Sequence, residues 1–307
     1  MIDGEHMVEG TPETQEEMLL PRVDIGGIAD ETDSEKVNEL VFELYTEALS
    51  VVNLAAHLLD EAAYAKGGWP RNQAICAGLM IRISKFMVVV TQLSAKRDRA
   101  EVVIALNRSI LESAVNLEFL VRTDGDAYFD QFVKFSLGPE RELSDIIQAN
   151  IAARRGEVWP IEQRMLESIN DVCQASGVKI EEVNRKYGDW GGGLRERLKA
   201  LNKEEKYVGV QRIPSHAVHG TWVDLYKHHL DHDSKTDVFS PNPKFSLVDA
   251  RVLGPIAIFV LEATKPYLER FFSRIPASVV PLDRIDDLCK RLAEADAVHE
   301  KLMAKRD

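Results

Sequence analysis

Residues 100 to 121 are apolar on nearly every face of a helix, through Val102, Val103, Leu106, Ile110, Leu111, Val115, Leu117, Phe119 and Leu120. A helix without a solvent face must be wrapped by other elements, so this one belongs at the centre of a bundle. Against that background Arg108, Glu112 and Asn116 stand at four-residue intervals and share one stripe. The stripe is expected to be buried. A buried arginine beside a buried glutamate needs a mutual ion pair and further hydrogen bonds to offset desolvation, so the pair is either a structural device or the wall of a site.

The remaining chain supplies the wrapping. Thr32, Asp33 and Ser34 form a cap signal for a helix starting near Glu35, and Leu40, Leu44, Ala48, Val51, Val52, Ala55, Leu58 and Leu59 recur at helical spacing to about residue 65. Gly67 and Gly68 end it, and Pro70 suits the first turn of a second helix running to about Leu93. The apolar run from Ala74 to Leu93 approaches membrane-spanning length, but Arg82 and Lys85 near its centre would each cost about 3 kcal/mol in a bilayer. A buried helix, with no membrane partner, is the better expectation.

Further helices are expected from Phe129 past Pro139 to about Ala153, and over 161 to 176 with Ile161, Met165, Leu166, Ile169 and Val172 inward, ended by Gly177. The glycine-rich GDWGGG, residues 188 to 193, lacks the Lys-Ser/Thr and the preceding strand of a phosphate-binding loop and is expected to be a linker before LRERLKAL. Residues 233 to 246 carry surface-loop residues, and Ser246 is expected to cap a helix from Leu247 to about Arg274 that Pro255 and Pro266 should kink or split. Near Pro281 a last helix begins, with Ile285, Leu288, Leu292, Ala295 and Leu302 on one face.

No segment alternates with strand period, so the fold class is all-α. A chain of 307 residues, 45% of them apolar, can bury one large core. The expected organisation is a mobile acidic tail over 1–32, a bundle over 33–275, and a helix over 281–307 that packs on the bundle or on a second copy. Roughly seven to ten helices should make up the whole. A net charge of −12 argues against a broad nucleic-acid or anionic-lipid surface, so any such partner must be met locally. Cys76, Cys173 and Cys289 are odd in number and far apart, which suits a reducing cytoplasm better than a disulfide framework.

Polar chemistry concentrates between Tyr207 and Asp233, which hold five of the eight histidines. Three chemistries compete there. His228 and His232, with His229, Asp231 and Asp233 nearby, would suit a metal if they shared a helical face, but the ligand set is incomplete and neither a metal nor a cofactor is expected. Arg212 and His219 could serve a phosphodiester: an imidazole can move a proton from a ribose hydroxyl while a guanidinium holds the phosphate. Alternatively His219, Ser215, Arg108 and Glu112 form one buried network that fixes how two core helices pack, with Gly220 where helices approach closely.

The segments NRSILESAVNLEFL, DWGGGLRERLKAL and KYVGVQRIPSHAVHGTW resemble a widespread family of uncharacterised bacterial helical proteins with an R-S-x-x-E helix and a later S-x-x-x-H-G helix. The resemblance covers roughly residues 40 to 275 and rests on Arg108, Ser109, Glu112, Tyr207, Ser215, His219 and Gly220. More distantly the arrangement is similar to HEPN-type domains, many of them defence or toxin ribonucleases with an R-x(4–6)-H motif, often across a homodimer. That likeness implies a metal-independent endoribonuclease with Arg212 and His219 catalytic, Arg108, Glu112 and Ser215 in support, and RNA or a nucleotide as ligand. Pro214 between the two residues and Ile213 directly after the arginine depart from the usual motif. A non-catalytic interaction or regulatory module is the competing expectation.

Overall fold

The computed structural model describes residues 20–58, 68–96, 98–123, 125–185 and 189–304. Five long helices form the bundle: α1 (Ser34–His57), α2 (Arg71–Ser94), α3 (Ala100–Arg122), α10 (Ala250–Phe272) and α11 (Val279–Met303). Helices α2 and α10 flank α3, and α1 packs against α2, α10 and α11. The expectation of a surrounded α3 holds: Val103, Ile110, Ala114, Val115, Leu117 and Leu120 are fully buried. Side chains of this kind contribute about 1.5–3 kcal/mol each when withdrawn from water, and Tyr45, Met80, Ile83, Tyr267 and Leu292 complete the same core.

Local signals place the ends. Asp33 caps α1, its carboxylate accepting from the Glu35 amide at 2.9 Å. The expected extension of α1 to residue 65 runs into 59–67, outside the described residues. Asp249, not Ser246, caps α10, which starts at Ala250 and runs unbroken through Pro255 and Pro266. Ser246 instead caps the other side of the junction: its carbonyl accepts from the amides of Arg99 and Ala100, and its own amide donates to Glu101 at 2.8 Å. Those amides are among the ones a helix N-terminus leaves without intrahelical partners.

Helix α2 is long and apolar enough to cross a membrane by length and composition. Here it gives Cys76, Met80, Ile83, Met87 and Val90 to the core, while Arg82 donates to Ser113 at 3.2 Å and lies over the Phe86 ring. Helix α11 buries all five residues predicted for its inner face, against α1 and α10, so it is part of the bundle.

Residues 1–19 of the expected tail lie outside the described residues, but 20–32 are tied down. Ile28 is buried. The Val23 amide donates to Glu47 at 2.8 Å, and the Val23 carbonyl accepts from Arg291 at 2.9 Å. Glu47 is a fully buried carboxylate on α1, bonded by both terminal nitrogens of Arg291 at 2.7 and 2.6 Å and by Arg284 at 2.9 Å.

A second, smaller layer holds α4 (Ala127–Ser136), α5 (Gly138–Ala153) and α6 (Pro160–Ser176), where one helix past Pro139 was expected. Its core is Val133, Leu137, Ile169, Cys173, Val178 and Val183. Ile161, Met165 and Val172, expected inward, are exposed, because α6 packs on this thin layer and not on the main bundle. Gly177 ends α6 in the left-handed region, as expected.

Of the GDWGGG stretch, Gly188 lies outside the described residues and 189–193 are no loose linker. Trp190 is buried against Phe119 and Phe132, with ring centroids 5.7 and 5.1 Å away. The glycines then enter α7 (Gly193–Ala200) at positive φ, and a Cβ on Gly192 would sit 2.9 Å from that of Glu196. After α7 come two short helices, α8 (Ser215–His219) and α9 (Trp222–Asp224), making eleven α-helices among the described residues. They also hold a hairpin that no strand signal announced: β1 (Leu230–Asp233) pairs antiparallel with β2 (Val238–Pro241).

Two outcomes follow for stability. Burial alone would push the Glu47 carboxyl up, but hydrogen bonds from Arg291, Val23 and Arg284 outweigh it and hold its pKa below the usual range. A carboxylate with a depressed folded pKa contributes stability that is complete above its unfolded value, about 4.3, and is lost as pH falls through the folded value. Denaturant titrations should show this acid-side loss in the wild type and not in Glu47→Gln, which at neutral pH should be less stable by roughly 3–5 kcal/mol. Gly192→Ala should cost about 1–3 kcal/mol, read as a lowered unfolding midpoint, since a left-handed backbone and a crowded Cβ act together.

Candidate functional site

The histidine-rich stretch is fixed to the bundle before it begins. Lys203, just past α7, reaches Glu118 of α3 at 2.6 Å and Glu262 of α10 at 3.0 Å, and Arg122 also bonds Glu118 at 3.0 Å. From this anchor the chain runs along α3 as a π-helix (Val208–Arg212) and α8, then continues as α9 and a second π-helix (Leu225–His229). Isolated π-turns are rare and frequent at functional sites. Pro214, buried, precedes α8, where its lack of an amide proton does not interrupt an established helix. Gly220 ends α8 with φ of 57° and has open space where its Cβ would be. Its role is a left-handed cap, and the expected close approach of helices at this glycine does not occur.

Around this path the polar groups assemble on α3. Arg108 Nη1 bonds Glu112 Oε2 at 2.5 Å, and Arg108 Nε donates to Ser215 Oγ at 3.3 Å. Ser215 Oγ in turn donates to the Gln211 carbonyl at 2.5 Å. The side chains of Arg108 and Glu112 are 16% and 41% exposed, so the expected sealed stripe is an open edge. Asn116, one turn further, is likewise half-buried, and its Oδ1 has no partner among the described residues.

Arg197 of α7 adds a second guanidinium. It is buried, lies 4.1 Å over the Trp190 ring and donates to the Trp190 carbonyl at 2.6 Å. Burial pulls its pKa down to about 10, against the opposing pull of Glu112 and Asp189, which leaves it charged at neutral pH. Tyr207 lies between two more arginines: the Arg195 and Arg212 guanidinium carbons are 5.8 and 5.9 Å from its ring centroid.

Of the residues singled out from sequence, Arg108, Glu112 and Ser215 come together as one network. Arg212 and His219 are exposed at its rim. His219 makes no hydrogen bond or ion pair with a described residue, so the network expected to include it closes without it. The neighbouring His216 is held instead, by Thr221 Oγ1 at 2.6 Å.

The three later histidines do not share a helical face. His228 Nδ1 bonds Ser246 Oγ at 2.8 Å from the second π-helix, while His232 sits on β1, bonded to Asp237 at 3.0 Å and stacked on Phe239 at 4.4 Å. His229 faces the buried Asp224 at 3.5 Å.

Arg195 and Arg197 were missed in the sequence, although a signal for Arg197 was there. Leu194, Arg197, Leu198 and Leu201 follow the i, i+3, i+4, i+7 spacing of one apolar face, so Arg197 is a charge in an apolar stripe. Such a charge stays only where aromatic and carbonyl partners receive it.

No curated protein and no solved structure matches the chain. Residues 73–237 match a family described as a family of unknown function, DUF5677. That span takes in Arg108, Glu112, Tyr207, Arg212, Ser215 and His219, the whole of the polar edge just described. The chain therefore belongs to the DUF5677 family.

Proposed function

We propose that the edge carrying Arg212 and His219 is the active site of an HEPN-like endoribonuclease of the bacterial cytoplasm, acting in defence or stress. The observation that carries this is the division of labour between Ser215 and its flanks: Ser215 is tied to Arg108 at 3.3 Å, while Arg212 and His219 stand exposed on either side of it. A structural network would draw its histidine inward, and a site needs it where substrate arrives.

In this scheme His219 takes the proton of a ribose 2′-hydroxyl as that oxygen bonds to the adjacent phosphorus. Arg212 holds the non-bridging phosphate oxygens as negative charge builds on them. The P–O5′ bond breaks and the leaving oxygen takes a proton from solvent water, to which His219 later returns the one it accepted, giving a 2′,3′-cyclic phosphate and a 5′-hydroxyl. Side chains supply both the proton transfer and the charge stabilisation, so no metal ion is required. Arg108 and Glu112 act through Ser215 as positioning residues.

A non-catalytic interaction or regulatory module is the second reading, and the Arg108–Ser215 bond supports it equally, since it would fix α8 on α3 in either case.

Cleavage of a labelled RNA by the purified protein in EDTA is the test. The wild type should yield cyclic-phosphate ends. His219→Ala and Arg212→Ala should each lower the rate by about a hundredfold or more with wild-type thermal unfolding, because both side chains are exposed. Undiminished cleavage by His219→Ala, or none by the wild type, would reject the nuclease.

A further inference from the structure

Helix α6 carries two parallel rows of side chains. Glu162, Ile169 and Cys173 lie in the row that faces the second layer, and all three are buried. Ile161, Met165, Ser168, Val172 and Ala175 form the other row, spaced by four, three, four and three residues, and every one of them is exposed. That is the spacing of a seam between two helices. One row is used within the chain, and the other faces solvent.

The exposed face extends onto α5. The groove between the two helices is lined by Ser144 and Gln148 of α5 and by Asn170 and Gln174 of α6. At about 100° per residue, Leu143 and Ile146 are turned away from that groove, to the other side of the buried Ile147. Met165 and Val172 are turned in the same sense about the buried Ile169. Leu143 and Ile146 are exposed as well, so both rows lie on one side of the α5–α6 pair. Helices of this length run about 25 Å and stand about 10 Å apart, which makes the face roughly 25 by 20 Å, or about 500 Å². An apolar face of that size on one monomer marks an interaction site.

Charge identifies the occupant. Arg164 and Asp171 flank the row on its outer side, and both are exposed and make no hydrogen bond or ion pair with a described residue. They stand four residues before and three residues after its midpoint, Ser168. Turning α6 end for end about Ser168 therefore puts each charge where the other was. An antiparallel copy sets Arg164 against the partner's Asp171, and Asp171 against the partner's Arg164. A partner of one sign of charge would attract one of the two and repel the other.

We propose that the outer face of α5 and α6 is the interface of a homodimer, with its two-fold axis at Ser168 and α6 antiparallel to the same helix of the second copy. A two-fold interface uses the same patch on both copies, which is what a self-complementary row provides. Two faces of about 500 Å² bury about 1,000 Å² together, the low end of specific interfaces, so the dimer forms and separates reversibly. It stands whether or not the edge at Arg212 and His219 cleaves RNA.

Sedimentation equilibrium of the full chain, from roughly 1 to 200 μM, is the test. The wild type should pass from monomer to dimer in this range. Met165→Glu and Val172→Glu each place a charge in the seam and should weaken association at least about tenfold, with wild-type thermal unfolding because both side chains are exposed in the monomer. Arg164→Glu and Asp171→Arg each set like charges together twice and should weaken it about tenfold, and the variant carrying both should recover most of the loss. Such recovery distinguishes an antiparallel second copy from a parallel pair or an unrelated partner. A monomer throughout the range, a dimer indifferent to Met165→Glu, or a double variant no stronger than the single ones overturns the proposal.

Discussion

A guanidinium at 16% exposure, on a helix otherwise wrapped in apolar neighbours, is tolerated only if charge and hydrogen-bond partners are supplied locally. Glu112, one turn along α3, supplies the charge. The oxygen comes from Ser215, 107 residues later in the chain. Meeting the needs of Arg108 therefore fixes where α8 must lie. The positions of Arg212, three residues before Ser215, and of His219, four after it, are set by that. Lys203 reinforces the arrangement from the other end, since its ammonium spans carboxylates on α3 and α10 and sets where the chain leaves α7.

The same economy governs the field at the edge. Glu112 serves Arg108 directly and also opposes the effect of burial on Arg197. One half-exposed carboxylate thus faces two guanidinium groups, and Arg195 and Arg212 add two more around Tyr207. Interactions with a Debye length of about 8 Å at physiological salt are local. An acidic chain can therefore present a small cationic surface without being a nucleic-acid-binding protein over its whole area.

Most of the fold was legible because its signals are periodic and additive. The wrapped helix α3, the Asp33 cap, the Gly177 stop and the inner face of α11 all come from spacing or from a single cap residue. The features that escaped depend on distant partners. Ser246 has cap chemistry, yet it serves the N-terminus of α3 and not its own helix. Trp190 lies in a run of glycines that reads as a linker, and only Phe119 and Phe132 make it core. Ile161, Met165 and Val172 were assigned inward by period alone, which finds the apolar side of α6 but cannot show how thin the layer beneath it is. In the site, the pairing of Arg108 with Glu112 was legible from four-residue spacing, and its half-open environment was not.

The failure of periodicity is sharpest at the polar edge. Arg212, Ser215 and His219 are spaced i, i+3, i+7, which on an uninterrupted α-helix would place them on one face, to be buried or exposed together. The chain avoids this by ending a π-helix at Arg212, restarting at Pro214 and stopping again at Gly220. A π-turn closes on the fifth residue, as the Ile213 amide does on the Val208 carbonyl at 3.0 Å, so the residues after it are rotated out of the regular register. That break lets Ser215 turn to Arg108 while its neighbours face solvent. Ile213 and Pro214, both helical in backbone, lie at the junction between the π-turn and α8, where the anchoring side chain is separated from the exposed pair.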